Sequence, residues 1–63
     1  MNAETRYFIY LLEHYADYKK KSTGEVLTSW DALGITNKIY SNYWLYHTEA
    51  IENAYADIDR QTE

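Results

Sequence analysis

Two histidines and ten acidic residues are the raw material for chemistry in this 63-residue chain, which contains no cysteine. His47 with Asp57 or Asp59 has the residue types of a base and its orienting carboxylate, as general acid–base catalysis requires. No nucleophile or cofactor motif accompanies them, and separations of ten and twelve residues fix no geometry. His47 also falls at the expected C-terminus of a helix. There the dipole favours a charged imidazole bonded to a carbonyl or carboxylate, and this structural role is the reading adopted. Glu13, His14 and Asp17 fall within about one helical turn and offer a metal two carboxylates and an imidazole. No second group of ligands is visible, so Glu13 and Asp17 read as a solvated face. Gly24 and Gly34 form no phosphate loop, and hydrolase-elbow and zinc-protease motifs are absent from the sequence. The expectation is a protein that is not an enzyme, with no metal and no cofactor.

Charge narrows the partners. The formal net charge is −4, and residues 48–63 carry Glu49, Glu52, Asp57, Asp59 and Glu63 against Arg60 alone. Lys19, Lys20 and Lys21 form the one basic cluster. Three lysines are few for gripping a phosphate backbone, and at a helix end they complement the dipole. The N-terminal segment carries Glu4 before any apolar run, unlike a signal peptide. The longest apolar run, Tyr7 to Leu12, is far below the ~20 residues of a membrane span. The absence of cysteine fits a reducing compartment. These features predict a soluble, cytoplasmic protein with no membrane partner.

The elements that must position these groups are helices. There is no proline, and only two glycines interrupt the chain. Residues 3 to about 20 read as a first helix, with Phe8, Leu11, Leu12, Tyr15 and Ala16 as its core stripe. Ser22-Thr23-Gly24-Glu25 is a capping box that opens a second helix, whose stripe is Val26, Leu27, Trp30 and Leu33. Gly34 fits a left-handed stop, and Ile35 fits the apolar contact that follows one. Thr36 is then the expected cap of a third helix over about 37–47, and Thr48 that of a fourth over about 49–60 with stripe Ile51, Ala54, Tyr55 and Ile58. The fold predicted is all-α: one domain over residues 1–63, a compact bundle of three to four short helices. A chain of this size buries only about 60% of its unfolded surface. With disulfides excluded and two histidines enough for a weak metal site at most, association with itself or a partner is the expected further source of stability. Some domains of this size nevertheless fold alone.

The aromatic content decides the functional expectation. Drawn as one helix, Ile39, Tyr40, Tyr43, Trp44, Tyr46 and His47 spread over about 160°, beyond the ~100° of one buried face. The first helix is broader still, with Tyr7, His14 and Tyr18 beside its stripe and Ile9 on the other flank. Such wide faces cannot all be enclosed in so small a bundle. Tyrosine and tryptophan suit protein interfaces, where a ring packs while its polar end stays wet. Tyr7, Tyr18, Tyr40, Tyr43, Trp44 and Tyr46 are therefore the candidate interface, binding a protein partner or a second copy. The alternative is a helix-turn-helix regulator over Glu25 to His47, reading DNA with Asn37, Lys38, Ser41 and Asn42. Lys38 is the only cation on that helix and an acidic helix follows it, so nucleic acid is not the expected partner.

These motifs together resemble a family of short bacterial proteins of unknown function. The pattern comprises an aromatic first helix ending in Glu13 and Tyr15, the Thr23-Gly24-Glu25-Val26 opening, and the Gly34-Ile35-Thr36 turn. Ile39, Tyr43 and a terminal His47 follow in the third helix, and Asp57-Ile58-Asp59 in the last. The chain departs from it at Tyr46, where leucine is usual, and at Arg60-Gln61, which replace a more apolar helix end. The resemblance implies a small all-helical protein with no assigned activity. Members are often encoded beside other small proteins, some resembling ADP-ribosyltransferases, which implies the partner or neutralising member of a two-gene module.

Overall fold

A helix begins where a side chain can satisfy its first unpaired amides. Asn2 does so for α1 (Ala3–Lys19), its Oδ1 accepting from the Thr5 amide at 2.8 Å. Ser22 and Glu25 form the expected capping box of α2 (Thr23–Leu33). Ser22 Oγ accepts from the Glu25 amide at 3.1 Å, and Glu25 Oε1 accepts from the Ser22 amide at 3.2 Å. The Ser22 amide, joined by the Ser22 hydroxyl donating to the same Oε1 at 3.1 Å, holds the Glu25 carboxyl below its ordinary pKa. The computed structural model describes residues 1–62, and Glu63, counted above in the acidic tail, lies outside them. Three further helices complete an all-α bundle: α3 (Ile35–Ser41), α4 (Tyr43–Thr48) and α5 (Ile51–Thr62). The radius of gyration is 10.6 Å, the value expected of a compact 63-residue domain, about 10.6 Å.

The helix ends are set locally. Gly34 stops α2 in the left-handed region (φ 75°), as expected, and Ile35 behind it is fully buried. Lys20 adopts the same conformation (φ 58°) at the end of α1, at a cost of about 1 kcal/mol for a residue with a Cβ. Gly34 also opens α3 directly, so the expected cap at Thr36 does not form. The Thr36 hydroxyl donates instead to Asp31 Oδ1 at 2.7 Å. Nor does one helix run over 37–47. Asn42 leaves helical geometry (φ −113°, ψ 29°) and its Nδ2 donates to the Lys38 carbonyl at 2.9 Å, alongside its own amide at 3.0 Å. A side chain competing for backbone partners is the ordinary cause of such a break. Thr48 closes α4 and caps nothing after it: its hydroxyl donates to the carbonyls of Trp44 and Leu45 at 2.9 and 3.1 Å.

All five helices contribute to one core. The predicted α1 stripe is buried throughout, joined by Val26, Trp30, Ile35, Ile39, Tyr46, Ala54 and Ile58. Leu33 is the exception among the predicted stripes: at the last residue of α2 it is 53% exposed. Trp30 lies at the centre, with the rings of Phe8 and Tyr15 each 5.6 Å away. Its indole N–H has no hydrogen-bond partner among the described residues, which costs about 1–3 kcal/mol against the burial of the ring.

α5 docks through Ala54 and Ile58, which are fully enclosed, with Ile51 and Tyr55 packed partly buried against the core. Hydrogen bonds on either side of Ile58 add to this contact. The Tyr15 hydroxyl donates to Asp59 Oδ1 at 2.7 Å, where Lys19 Nζ also lies at 2.9 Å. The Tyr46 hydroxyl donates to Asp57, which Lys38 approaches at 3.6 Å and Arg60 at 3.0 Å. The tyrosine bonds are the main reason both carboxyls sit below their ordinary pKa. Burial, reinforced by the aspartate bond, pushes the Tyr15 hydroxyl up to about 12 and raises Tyr46 likewise.

Tyr15→Phe and Tyr46→Phe should each destabilise by about 1.5–3 kcal/mol in urea unfolding, because each removes a hydrogen bond to a charged acceptor. The pH profile follows from the same pairs. Depressed aspartate values make their contribution complete above the ordinary value of 3.8, and it is lost as pH falls through the folded values. Raised tyrosine values keep it complete below 10.0, and it is lost as pH rises through the folded values, about 12 for Tyr15. The acid loss should be shallower in the Asp57→Asn, Asp59→Asn double variant. An identical acid limb in that variant would contradict this account.

Candidate interaction surface

Tyr7, Tyr10, His14 and Tyr18 follow one another at intervals of three, four and four residues, which confines them to about 80° of the α1 circumference. This stripe adjoins the buried one without belonging to it. Its N-terminal half meets α4. The Tyr43 ring stands edge-on to Tyr7 at 5.8 Å and stacks on His47 at 4.3 Å and 7°. Trp44 meets His47 at 4.9 Å, and His47 meets Tyr7 at 6.4 Å. Tyr7 then reaches Tyr10 at 6.3 Å, and Tyr10 reaches His14 at 4.3 Å. An unbroken line of rings therefore runs from Trp44 to His14. One turn further on, Tyr18 stacks on Tyr55 of α5 at 4.5 Å and 11°.

The rings are graded in exposure. Trp44 is 74% exposed, Tyr18 53% and Tyr10 47%, while Tyr7, Tyr43, His47 and Tyr55 are half-buried beneath them. Burial pushes the hydroxyl pKa of Tyr7 and Tyr55 up, with nearby Tyr10 adding to both. The half-buried rings form a floor, and the exposed ones stand above it.

Four of the six predicted interface residues belong to this surface: Tyr7, Tyr43 and Trp44 at one end and Tyr18 at the other. Tyr40 lies elsewhere, its ring on Phe8 at 5.1 Å and its hydroxyl donating to Thr5 at 3.2 Å. Tyr46 must be removed from the predicted set. It is 6% exposed and bound to Asp57, standing seven residues, or about two turns, after Ile39 and so on the same buried side. Tyr10 and Tyr55 were not anticipated. The interval pattern from Tyr7 through His14 to Tyr18 was enough to find Tyr10, whereas Tyr55 reaches the surface only through tertiary contact.

The other candidates resolve individually. His47 Nδ1 lies 3.0 Å from the Tyr43 carbonyl and 3.1 Å from that of Trp44; a carbonyl can only accept, so this nitrogen carries the proton. Asp57 and Asp59, the carboxylates weighed as catalytic partners of His47, accept instead from the hydroxyls of Tyr46 and Tyr15. Glu13, His14 and Asp17 are all exposed, and no group of three or more potential metal ligands occurs among the described residues. In α3, Lys38 is committed to Asp57 and the Asn42 amide to the Lys38 carbonyl. Leu45, 60% exposed, borders an open groove of about 500 Å³ between α4 and α5. Two carboxylates line that groove: Asp57 has Lys38 and Arg60 beside it, and Glu49 accepts from Asn53 at 3.0 Å.

The fold and this surface define a small all-α protein with an exposed aromatic face. The chain belongs to the family described as protein of unknown function (DUF3791), which matches residues 6–61, in keeping with the resemblance its motifs carry. No curated relative and no solved structure matches it. No helix among the described residues is long and apolar enough to cross a membrane.

The two tryptophans should separate surface from core. Trp44→Ala should change unfolding free energy by no more than about 0.5 kcal/mol, and Trp30→Ala should remove about 3–5 kcal/mol. Comparable losses in the two variants would place Trp44 in the core.

Proposed function

We propose that this protein is a non-enzymatic interaction module whose aromatic face binds another protein chain. The observation that carries this reading is Trp44, 74% exposed at the end of a continuous line of rings. A scattered apolar side chain at the surface needs no explanation, but a contiguous apolar patch marks a binding site. Burying Trp44, Tyr10 and Tyr18 would supply affinity, and their polar atoms would keep partners at the rim of the contact. The half-buried floor holds these rings in place beforehand, which lowers the entropy that binding must remove. In the two-gene setting implied by the family resemblance, the partner is the neighbouring gene's product and binding neutralises it.

The test is capture from nuclease-treated native lysate by the tagged wild type and by Trp44→Ala, with light scattering of each purified protein. The wild type should retain one dominant protein or self-associate. Trp44→Ala should weaken that association by about 2 kcal/mol, roughly thirtyfold, as loss of a buried aromatic anchor does. Association unchanged in the variant, or absent from the wild type, would defeat the proposal.

A further inference from the structure

The aromatic face carries a sign. Glu13 and Asp17 lie beside its stripe on α1, Glu52 sits three residues before Tyr55 on α5, and Glu49 follows His47 by two residues. All four are exposed. Glu13, Asp17 and Glu52 enter no salt bridge among the described residues. Lys38 and Arg60 are drawn instead to Asp57, and Lys19 to Asp59, its ammonium also standing 5.4 Å from the centre of the Tyr18 ring. Arg6, in the first turns of α1, directs its guanidinium to the Met1 carbonyl at 3.4 Å. Beyond the effect of burial, the charge of Glu49 reaches Tyr7, and those of Glu52 and Asp17 reach Tyr55. The last helix thus gathers cations while the aromatic face keeps uncompensated carboxylates at its edge.

Rings and carboxylates attract the same class of group. The face of an aromatic ring is the negative pole of its quadrupole, and tryptophan binds cations best. A guanidinium is planar, weakly hydrated and stacks on rings, whereas a lysine ammonium is compact and strongly hydrated. A second copy is the wrong occupant, because it would set one acidic rim against another. We propose that the aromatic face takes an arginine-bearing, net-positive segment of a partner protein, its guanidinium groups lying over Trp44 and Tyr10 between the rim carboxylates, while Tyr18 already holds Tyr55 and the Lys19 ammonium against its ring. The stripe from Tyr7 to Tyr18 is about 16 Å long, so a partner helix of roughly three turns matches it. This inference rests on the interaction-module reading and narrows it to one partner chemistry.

The experiment titrates the isotope-labelled full chain with short helical peptides, identical except for Arg, Lys or Glu at their charged positions, and follows amide and indole resonances. The Arg peptide should shift the Trp44 indole and the Tyr10 amide while the buried Trp30 indole stays in place. The Lys peptide should bind about threefold or more weakly, and the Glu peptide should not bind. Trp44→Ala with Tyr10→Ala should weaken the Arg peptide about tenfold or more, and Leu33→Ala, outside the face, should leave it unchanged. Equal binding of the Arg and Lys peptides, indifferent to those substitutions, would reveal only diffuse attraction to an acidic protein and overturn the proposal. Sedimentation equilibrium of the chain alone separates the two readings. A dimer broken by Trp44→Ala, without arginine preference, would overturn the cationic partner but retain the interaction module. A monomer that binds neither peptide nor lysate protein would overturn both.

Discussion

Two hydroxyl-to-carboxylate bonds, Tyr15 to Asp59 and Tyr46 to Asp57, fasten the last helix to the rest of the molecule. The remainder of the structure depends on them, because α5 closes the core over Ile58 and brings Tyr55 against Tyr18. The bonds flank Ile58 in sequence, so the apolar contact and its polar supports are set by three consecutive residues. Neutral partners would hold less firmly, since hydrogen bonds to charged acceptors are roughly twice as strong as those between neutral groups. The aspartates also draw in Lys19 and Lys38 from α1 and α3, tying two further points of the bundle to α5 through charge.

This arrangement explains why a small chain carries eight tyrosines. Tyr15 and Tyr46 act as core residues whose hydroxyls are needed, a combination leucine cannot supply. Tyr40 covers Phe8 and reaches Thr5. The remaining five, Tyr7, Tyr10, Tyr18, Tyr43 and Tyr55, assemble the outer face. Tyrosine serves both roles because its ring buries well and its hydroxyl needs a partner or water. The fold also tolerates two local costs, a left-handed Lys20 and the unbonded indole N–H of Trp30. Among marginally stable small domains such costs are sustainable only where burial elsewhere exceeds them.

What the sequence disclosed was what local chemistry determines. The α1 core stripe, the Ser22–Glu25 box and the stop at Gly34 each depend on residues within one or two turns of each other, and each was readable. The break at Asn42 was not. Asparagine in a helical run is common, and only its bond to the Lys38 carbonyl shows that it interrupts the helix here. Tyr46 was misassigned for another reason. At 100° per residue it falls within about 20° of Ile39 and on the far side from Trp44. The period itself therefore set it with the core, where it is 6% exposed against 74% for Trp44. Leu33 fitted its stripe by period but stands at the end of α2, past the reach of the core. The aspartate clamps were hidden for a different reason. Tyr15 and Asp59 are separated by 44 residues, and no periodicity links them.

The six residues of α4 have a consequence for how the molecule moves. A helix that short is far below the length at which helices persist by themselves, so α4 exists through what it touches. Its backbone amides should exchange with solvent through small local openings, well before the long α1 releases its own, in the graded way cooperative units of unequal stability do. Trp44 therefore rides on the part of the fold that yields first, while Trp30 is held in the part that yields last. Such a division lets α4 open locally without disturbing the centre, so the outer surface and the cohesion of the fold reside in separate tryptophans of the same small protein.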